Sequence, residues 1–143
     1  MPRPLRQTKK PRRVAKISDP AVIVDFIFDR GLFFIAIKNI GDKSAFKISV
    51  QFDKKILGVE GTKEISALPL FQNIEFLPPH KEIVTFLDTS ASYFGRKEPT
   101  KISTRVSYYD IKRTKHAITL KHDLGIYAEI GYVQHLADQG EVW

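Results

Sequence analysis

The chain has 143 residues, 43% of them hydrophobic and 27% charged, with 23 Lys/Arg against 16 Asp/Glu and no cysteine. That is the size and balance of one soluble domain able to bury about two thirds of its unfolded surface. The missing thiols exclude disulfide frameworks, thiolate metal sites, cysteine nucleophiles and prenyl or palmitoyl anchors.

The net charge of +7 has a single source. Arg3, Arg6, Lys9, Lys10, Arg12, Arg13 and Lys16 stand near the start with no acid among them, and the rest of the chain carries equal numbers of acids and bases. Pro2, Pro4 and Pro11 interrupt any helix there and like charges repel, so residues 1–17 are expected to form a disordered basic arm. The arm is the polyanion-binding candidate. Contacts from all its cations to duplex phosphates would give a salt slope of up to about −6 in log K. An anionic membrane would contribute about 1 kcal/mol per cation. A solubilising tail is the plainer alternative. By count alone, the body beyond the arm has no basic face.

The most apolar stretch, Ala21 to Ile40, is broken by Asp25, Asp29, Arg30 and Lys38, too often for a membrane span of roughly 18 apolar residues. No apolar stretch directly follows the first charges, as a secretory signal requires. Pro2 occupies the place of a myristoylated glycine. A soluble, cytoplasmic chain is expected.

After the Ser18-Asp19-Pro20 boundary, Ala21 to Phe28 is rich in β-branched and aromatic residues and predicts a strand rather than a capped helix. Asp29-Arg30-Gly31 turns the chain into Leu32 to Asn39, a nearly continuous apolar run that predicts a strand covered on both faces. Ile40 to Ser44 is a second turn. From Ala45 to Asp53 the alternation is cleanest, with Phe46, Ile48, Val50 and Phe52 on one side and Lys47, Ser49 and Gln51 on the other. Residues 54–80 are less regular, with a short strand expected around Glu64 to Leu68. Their apolar Leu68, Leu70, Phe71, Ile74, Phe76 and Leu77 either line a binding patch or plug one end of the fold. Lys81 to Asp88 predicts a strand, residues 89–100 a polar loop. Lys101 to Asp110 predicts another strand, with Ser103, Arg105 and Ser107 opposite Ile102, Thr104, Val106 and Tyr108. His116 to His122 is its hairpin partner. Ile126, Ile130, Val133 and Ala137 have helical spacing, weakened by Gly131.

Short strands separated by turns, with at most one terminal helix, predict an all-β sandwich over residues 18–125, preceded by the arm and followed by an extension at 126–143 that is helical in pattern. The phrase LFFIAIKNIGDKSAFKISVQF, with Asn39, Gly41 and Ala45, resembles the hairpin of bacterial and archaeal immunoglobulin-like domains of the CARDB-like type. PLFQNIEFLPPHKEIVTFL is similar to their proline-bearing turn and strand. RVSYYDIKRTKHAITLKHDL, with Tyr108, Asp110 and Leu120, is similar to their closing hairpin. The resemblance covers roughly residues 20–125 and implies an immunoglobulin-like antiparallel β-sandwich that serves as a binding or scaffolding module. Taken on their own physics, Asn39 and Gly41 suit left-handed backbone, and the small Ala45 suits a close approach.

Chemistry is sparse. His80, His116, His122 and His135 are the neutral-pH acid–base candidates. His116 and His122 lie about 20 Å apart along one strand, too far to share a metal. Asp25 with Asp29, and Glu60 with Glu64, show no readable cleft of the kind paired carboxylates need. Gly58-Val59-Glu60-Gly61 lacks the Lys-Ser/Thr of a phosphate loop, and no Gly-x-Ser-x-Gly occurs. The expectation is a non-enzymatic protein-interaction or scaffolding module with an unidentified protein partner and without cofactor. The alternative is a small nucleic-acid-binding protein that uses the arm, which could also meet an anionic surface.

Overall fold

The computed structural model describes residues 19–130. The arm expected at 1–17 and residues 131–143 of the extension lie outside the described residues. Nine strands follow in chain order among those described: β1 (Val22–Asp29), β2 (Leu32–Asn39), β3 (Ala45–Phe52), β4 (Leu57–Gly58), β5 (Lys63–Glu64), β6 (Ile74–Leu77), β7 (Glu82–Thr89), β8 (Lys101–Tyr109) and β9 (Lys115–Asp123).

They build the expected all-β sandwich. One sheet has the order β1-β2-β7, the other β6-β3-β8-β9, and β4 with β5 forms a small ribbon. Every pairing is antiparallel. The period-two pattern decides which side of each strand is dry. Val22, Val24 and Phe26 of β1 join Phe33, Ile35 and Ile37 of β2 in one cluster with Ile48, Val50, Ile102 and Val106 of the facing sheet. Because three strands oppose four, β9 overhangs the core. Ile118 lies on the core side of its sheet beside Val106, yet remains partly exposed. No described helix is long and apolar enough to cross a membrane.

Three local outcomes differ from the pattern in the sequence. The strand expected at Glu64 to Leu68 shrinks to Lys63–Glu64, followed by a 3-10 turn at Ile65–Ala67 and a one-turn helix at Pro69–Gln72. Pro69 sits at the start of that helix, where its missing N–H costs nothing. The polar loop expected from residue 89 opens with a helix, Ser90–Gly95, capped by Thr89, whose Oγ1 accepts from the Ser92 N–H at 3.1 Å. Tyr93 of this helix is fully buried beside Phe33. Burial of such a ring, together with the cap, outweighs the polar composition. Finally, the four residues of β6 are too few to register as a periodic segment.

Two polar clusters hold the ends of the sandwich. Asn39 is 1% exposed, and its side chain uses its full bonding capacity. Its carbonyl accepts from the Ala21 N–H at 3.2 Å and the Gly41 N–H at 3.0 Å. Its amide donates to the Lys43 carbonyl at 2.8 Å and the Leu77 carbonyl at 3.1 Å. Left-handed backbone plays no part, since neither Asn39 nor Gly41 has a positive φ. Glycine is needed at position 41 for space: any Cβ would collide with the Asp19 carbonyl.

At the opposite end, a bulge between Phe33 and Phe34 shifts the register with β7, and both Leu87 and Asp88 are buried. The Asp88 carboxylate receives Arg96 Nη1 at 2.7 Å, the Thr89 N–H at 2.8 Å and the Glu60 N–H at 3.2 Å. Arg96 also reaches Glu98 and the Leu57 carbonyl. These bonds hold the Val59-Glu60-Gly61 turn, whose three residues all have positive φ.

Asn39→Ala strands two N–H groups and two carbonyls and should remove about 3 kcal/mol of stability, measured by urea unfolding. Arg96→Met leaves a buried carboxylate without its countercharge. It should cost about 3 kcal/mol in the same assay, with much less added when Asp88→Asn is combined with it.

Candidate functional site

The solvent face of the four-stranded sheet brings together residues that are far apart in sequence. Along β8 the buried Ile102, Thr104, Val106 and Tyr108 alternate with Lys101, Ser103, Arg105, Ser107 and Tyr109, which therefore point outward. Strand register carries this face across its neighbours. Tyr109 lies beside Lys115, Arg105 beside Thr119, and Ser103 beside Lys121. On the other flank Ser107 lies beside Ser49, their hydroxyls 2.8 Å apart, and Arg105 lies beside Gln51.

One row across this face is aromatic. Phe76 of β6 pairs with Phe46 of β3, and Phe46 pairs with Tyr109 of β8. Alternation alone puts Phe46 on the core side with Ile48, Val50 and Phe52, and here the structure differs. A bulge interrupts the β3–β8 register between Phe46 and Ser49, with Lys47 at a φ of 51°. The extra residue reverses the parity, so Ala45 goes fully into the core and Phe46 turns toward solvent. The Phe46 and Phe76 ring centroids are 5.5 Å apart. Phe76 remains 52% exposed. Phe46, Lys47, Tyr109, Asp110, Ile111 and Arg113 line a shallow concavity of about 690 Å³, and Ile111 at its rim is 73% exposed.

The charge of this face is free to act. Lys101, Arg105, Lys112, Arg113, Lys115 and Lys121 form no ion pair among the described residues. Two acids flank the aromatic row: Glu75, next to Phe76 in β6, lies 4.0 Å from Lys47, and Asp110 is engaged internally. It bonds His116 Nε2 at 2.8 Å, the Lys112 N–H at 2.8 Å and the Thr114 N–H at 3.0 Å. The His116 bond, then the Thr114 N–H, hold its carboxyl below the usual carboxylate range. On the outer face of the other sheet, Lys38 is shared between Asp25 at 3.1 Å and Glu82 at 3.8 Å. The neutral charge count of the body thus conceals an uneven spread: unpaired cations gather on the outer face of β8 and β9, where Asp123 opposite Lys101 is the cross-strand acid, whereas Lys38 on the other sheet is matched by two acids. The sequence pattern held half of this, in the parity of Lys101 and Arg105. Register across strands and the β3 bulge were needed for the rest.

The residues singled out from sequence fare differently. Arg3, Arg6, Lys9, Lys10, Arg12, Arg13 and Lys16 lie outside the described residues, as does His135. The apolar run from Leu68 to Leu77 divides. Phe71 and Leu77 are buried, Leu68, Leu70 and Ile74 pack against the core, and only Phe76 stands out on the surface. The histidines have separate surroundings. His80 faces Asp42 at 3.2 Å, His116 stacks on Tyr108, and His122 packs edge-on against Phe26. No group of three or more His, Asp or Glu that could hold a metal ion occurs among the described residues.

Residues 3–128 match the family described as Domain of unknown function (DUF8453). The chain belongs to that family. No curated protein and no solved structure matches it. The DUF8453 match takes in the whole candidate face and most of the basic segment before the sandwich.

On the core side of this sheet, the His122 ring bonds Thr104 Oγ1 at 2.9 Å. Burial lowers its pKa below the ordinary 6.5, against a smaller opposing pull from Asp25. Between that lowered value and 6.5 the unfolded chain binds the extra proton, so this contribution is complete above 6.5 and is lost as pH falls through the folded-state value. His122→Gln, which keeps a bonding partner for Thr104, should flatten the fall in urea midpoint between about pH 7 and pH 5.

Proposed function

We propose that this DUF8453 protein is a non-enzymatic interaction module that recognises an anionic partner through the solvent face of its four-stranded sheet. The observation that carries this is the set of unpaired cations beside one exposed and two half-buried rings on one sheet face. Side chains without a structural partner on a rigid platform suit recognition of something outside the fold. The hairpin's likeness to immunoglobulin-like domains of the CARDB-like type supports the same role, because such sandwiches serve as binding or scaffolding modules. A cytoplasmic setting suits a cysteine-free chain.

The basic segment is then an accessory that raises affinity without selecting the partner. A second proposal, in which the arm is the principal nucleic-acid site, draws support from its seven cations and from a family match that starts at residue 3.

A titration against heparin as a generic polyanion separates the two. Three full-length proteins are compared: wild type, the arm with its seven cations changed to Gln, and the face variant Arg105→Ser/Lys121→Ser. The face variant should weaken binding more than the arm variant, with both reducing the salt slope. Binding that depends on the arm alone would replace the first proposal with the second.

A further inference from the structure

Resting on the proposed interaction face, we infer that its ligand is single-stranded nucleic acid, with bases stacked on Phe76, Phe46 and Tyr109 and phosphates led toward Arg105 and Lys121. The rings decide the ligand class. Phe46 and Phe76 lie on the solvent side of the sheet, over a core that already contains Phe26, Phe33 and Phe71. An acidic peptide would satisfy the cations and leave a row of aromatic faces with nothing to match. A duplex keeps the faces of its bases inside its own stack. A single strand offers charge and exposed π-faces together, and this combination of basic groove and aromatic platform is how such strands are held.

The spacing fits as well. Neighbouring strands are about 4.8 Å apart, so the rings stand at intervals a splayed strand can follow. Next to the aromatic row come Ser49, Ser107 and Ala117, small side chains that leave the floor open. Beyond them lie Arg105 and then Lys121. From Tyr109 to Lys101 the face runs about 26 Å, room for a site at the short end of the roughly 4–16 nucleotides such platforms cover. A second concavity, where Lys54, Lys101 and Lys121 stand with Asp53 and Asp123, closes that far end, so the cations free to meet phosphate are concentrated nearer Arg105. Stacking is indifferent to base identity, so little sequence preference is expected.

Fluorescence anisotropy with a labelled oligo(dT) of about 12 nucleotides tests this, with polyphosphate, duplex DNA, poly-glutamate and phosphatidylserine vesicles as competitors. Phe76→Ala removes an exposed ring and should leave the unfolding midpoint unchanged. It should weaken oligo(dT) about tenfold while leaving polyphosphate competition untouched; Tyr109→Leu should do the same. The inference is overturned if oligo(dT) does not bind, if ring removal has no effect, or if duplex, polyphosphate, poly-glutamate or vesicles compete on equal terms. Two failures are distinguishable. If Arg105→Ser/Lys121→Ser still weakens any of these anions, the interaction face stands and only its ligand class was wrong. If it weakens none, the face itself is refuted.

Discussion

The amide of Asn39 is the constraint from which the geometry of the candidate face follows. It ties the start of β1 and the β2–β3 turn to the end of β6, and so joins the two sheets at one end. Backbone bonds on the same residue, to Lys81 at 3.0 Å and from His80 at 2.7 Å, fix the turn into β7. With Leu77 held, β6 can pair with β3 in only one register, Ala45 opposite Leu77. One residue forward along β3 and one back along β6, Phe46 then has to meet Phe76. A slip by one residue would send Phe76 inward and Leu77 out. A buried polar group therefore sets where the surface rings stand.

Asp88 and Arg96 play the matching part at the other end, by a different physics. Their pair is charged and mostly dry, and a buried ion pair contributes little net stability over an apolar packing of equal volume. What it supplies is definition. The Val59-Glu60-Gly61 turn is left-handed at three successive positions, costly for a β-branched residue such as Val59. Fixed bonds from Glu60 and Leu57 to the Asp88–Arg96 pair hold that turn in place. Close approach does the rest, because Gly58 lies so near the Leu87 carbonyl that no side chain fits there.

The long strands were legible because a half-buried strand must alternate, and β1, β2, β3, β7, β8 and β9 all lie where the pattern puts them. Sequence failed where a single residue changes parity. The β3 bulge at Lys47 leaves no mark in the hydrophobic pattern, since Phe46 is as apolar as the core residues it was grouped with. The Asn-x-Gly motif was visible, but its use was not. Both residues suit left-handed backbone, whereas here one supplies a side-chain knot and the other supplies room. The candidate site was the least legible, because it is assembled from four strands and no segment of the chain contains it.

Charge counting failed for the same reason. A sum over residues discards direction, and in a sandwich direction is fixed by parity and register. Lys101, Arg105, Lys115 and Lys121 fall on one side because each stands an even number of residues from the next within its strand, and because β8 and β9 pair without a shift. The same lysines serve a second purpose. β9 is an edge strand, and Lys115 and Lys121 near its ends make pairing with another strand unfavourable. Neither purpose explains the rings, though. Edge protection needs charge alone, and the core has its aromatics already. The half-buried Phe46 and the exposed Phe76 on the outer side of the sheet are the part of this surface that folding does not require, and that surplus fits a ligand with flat, exposed faces of its own.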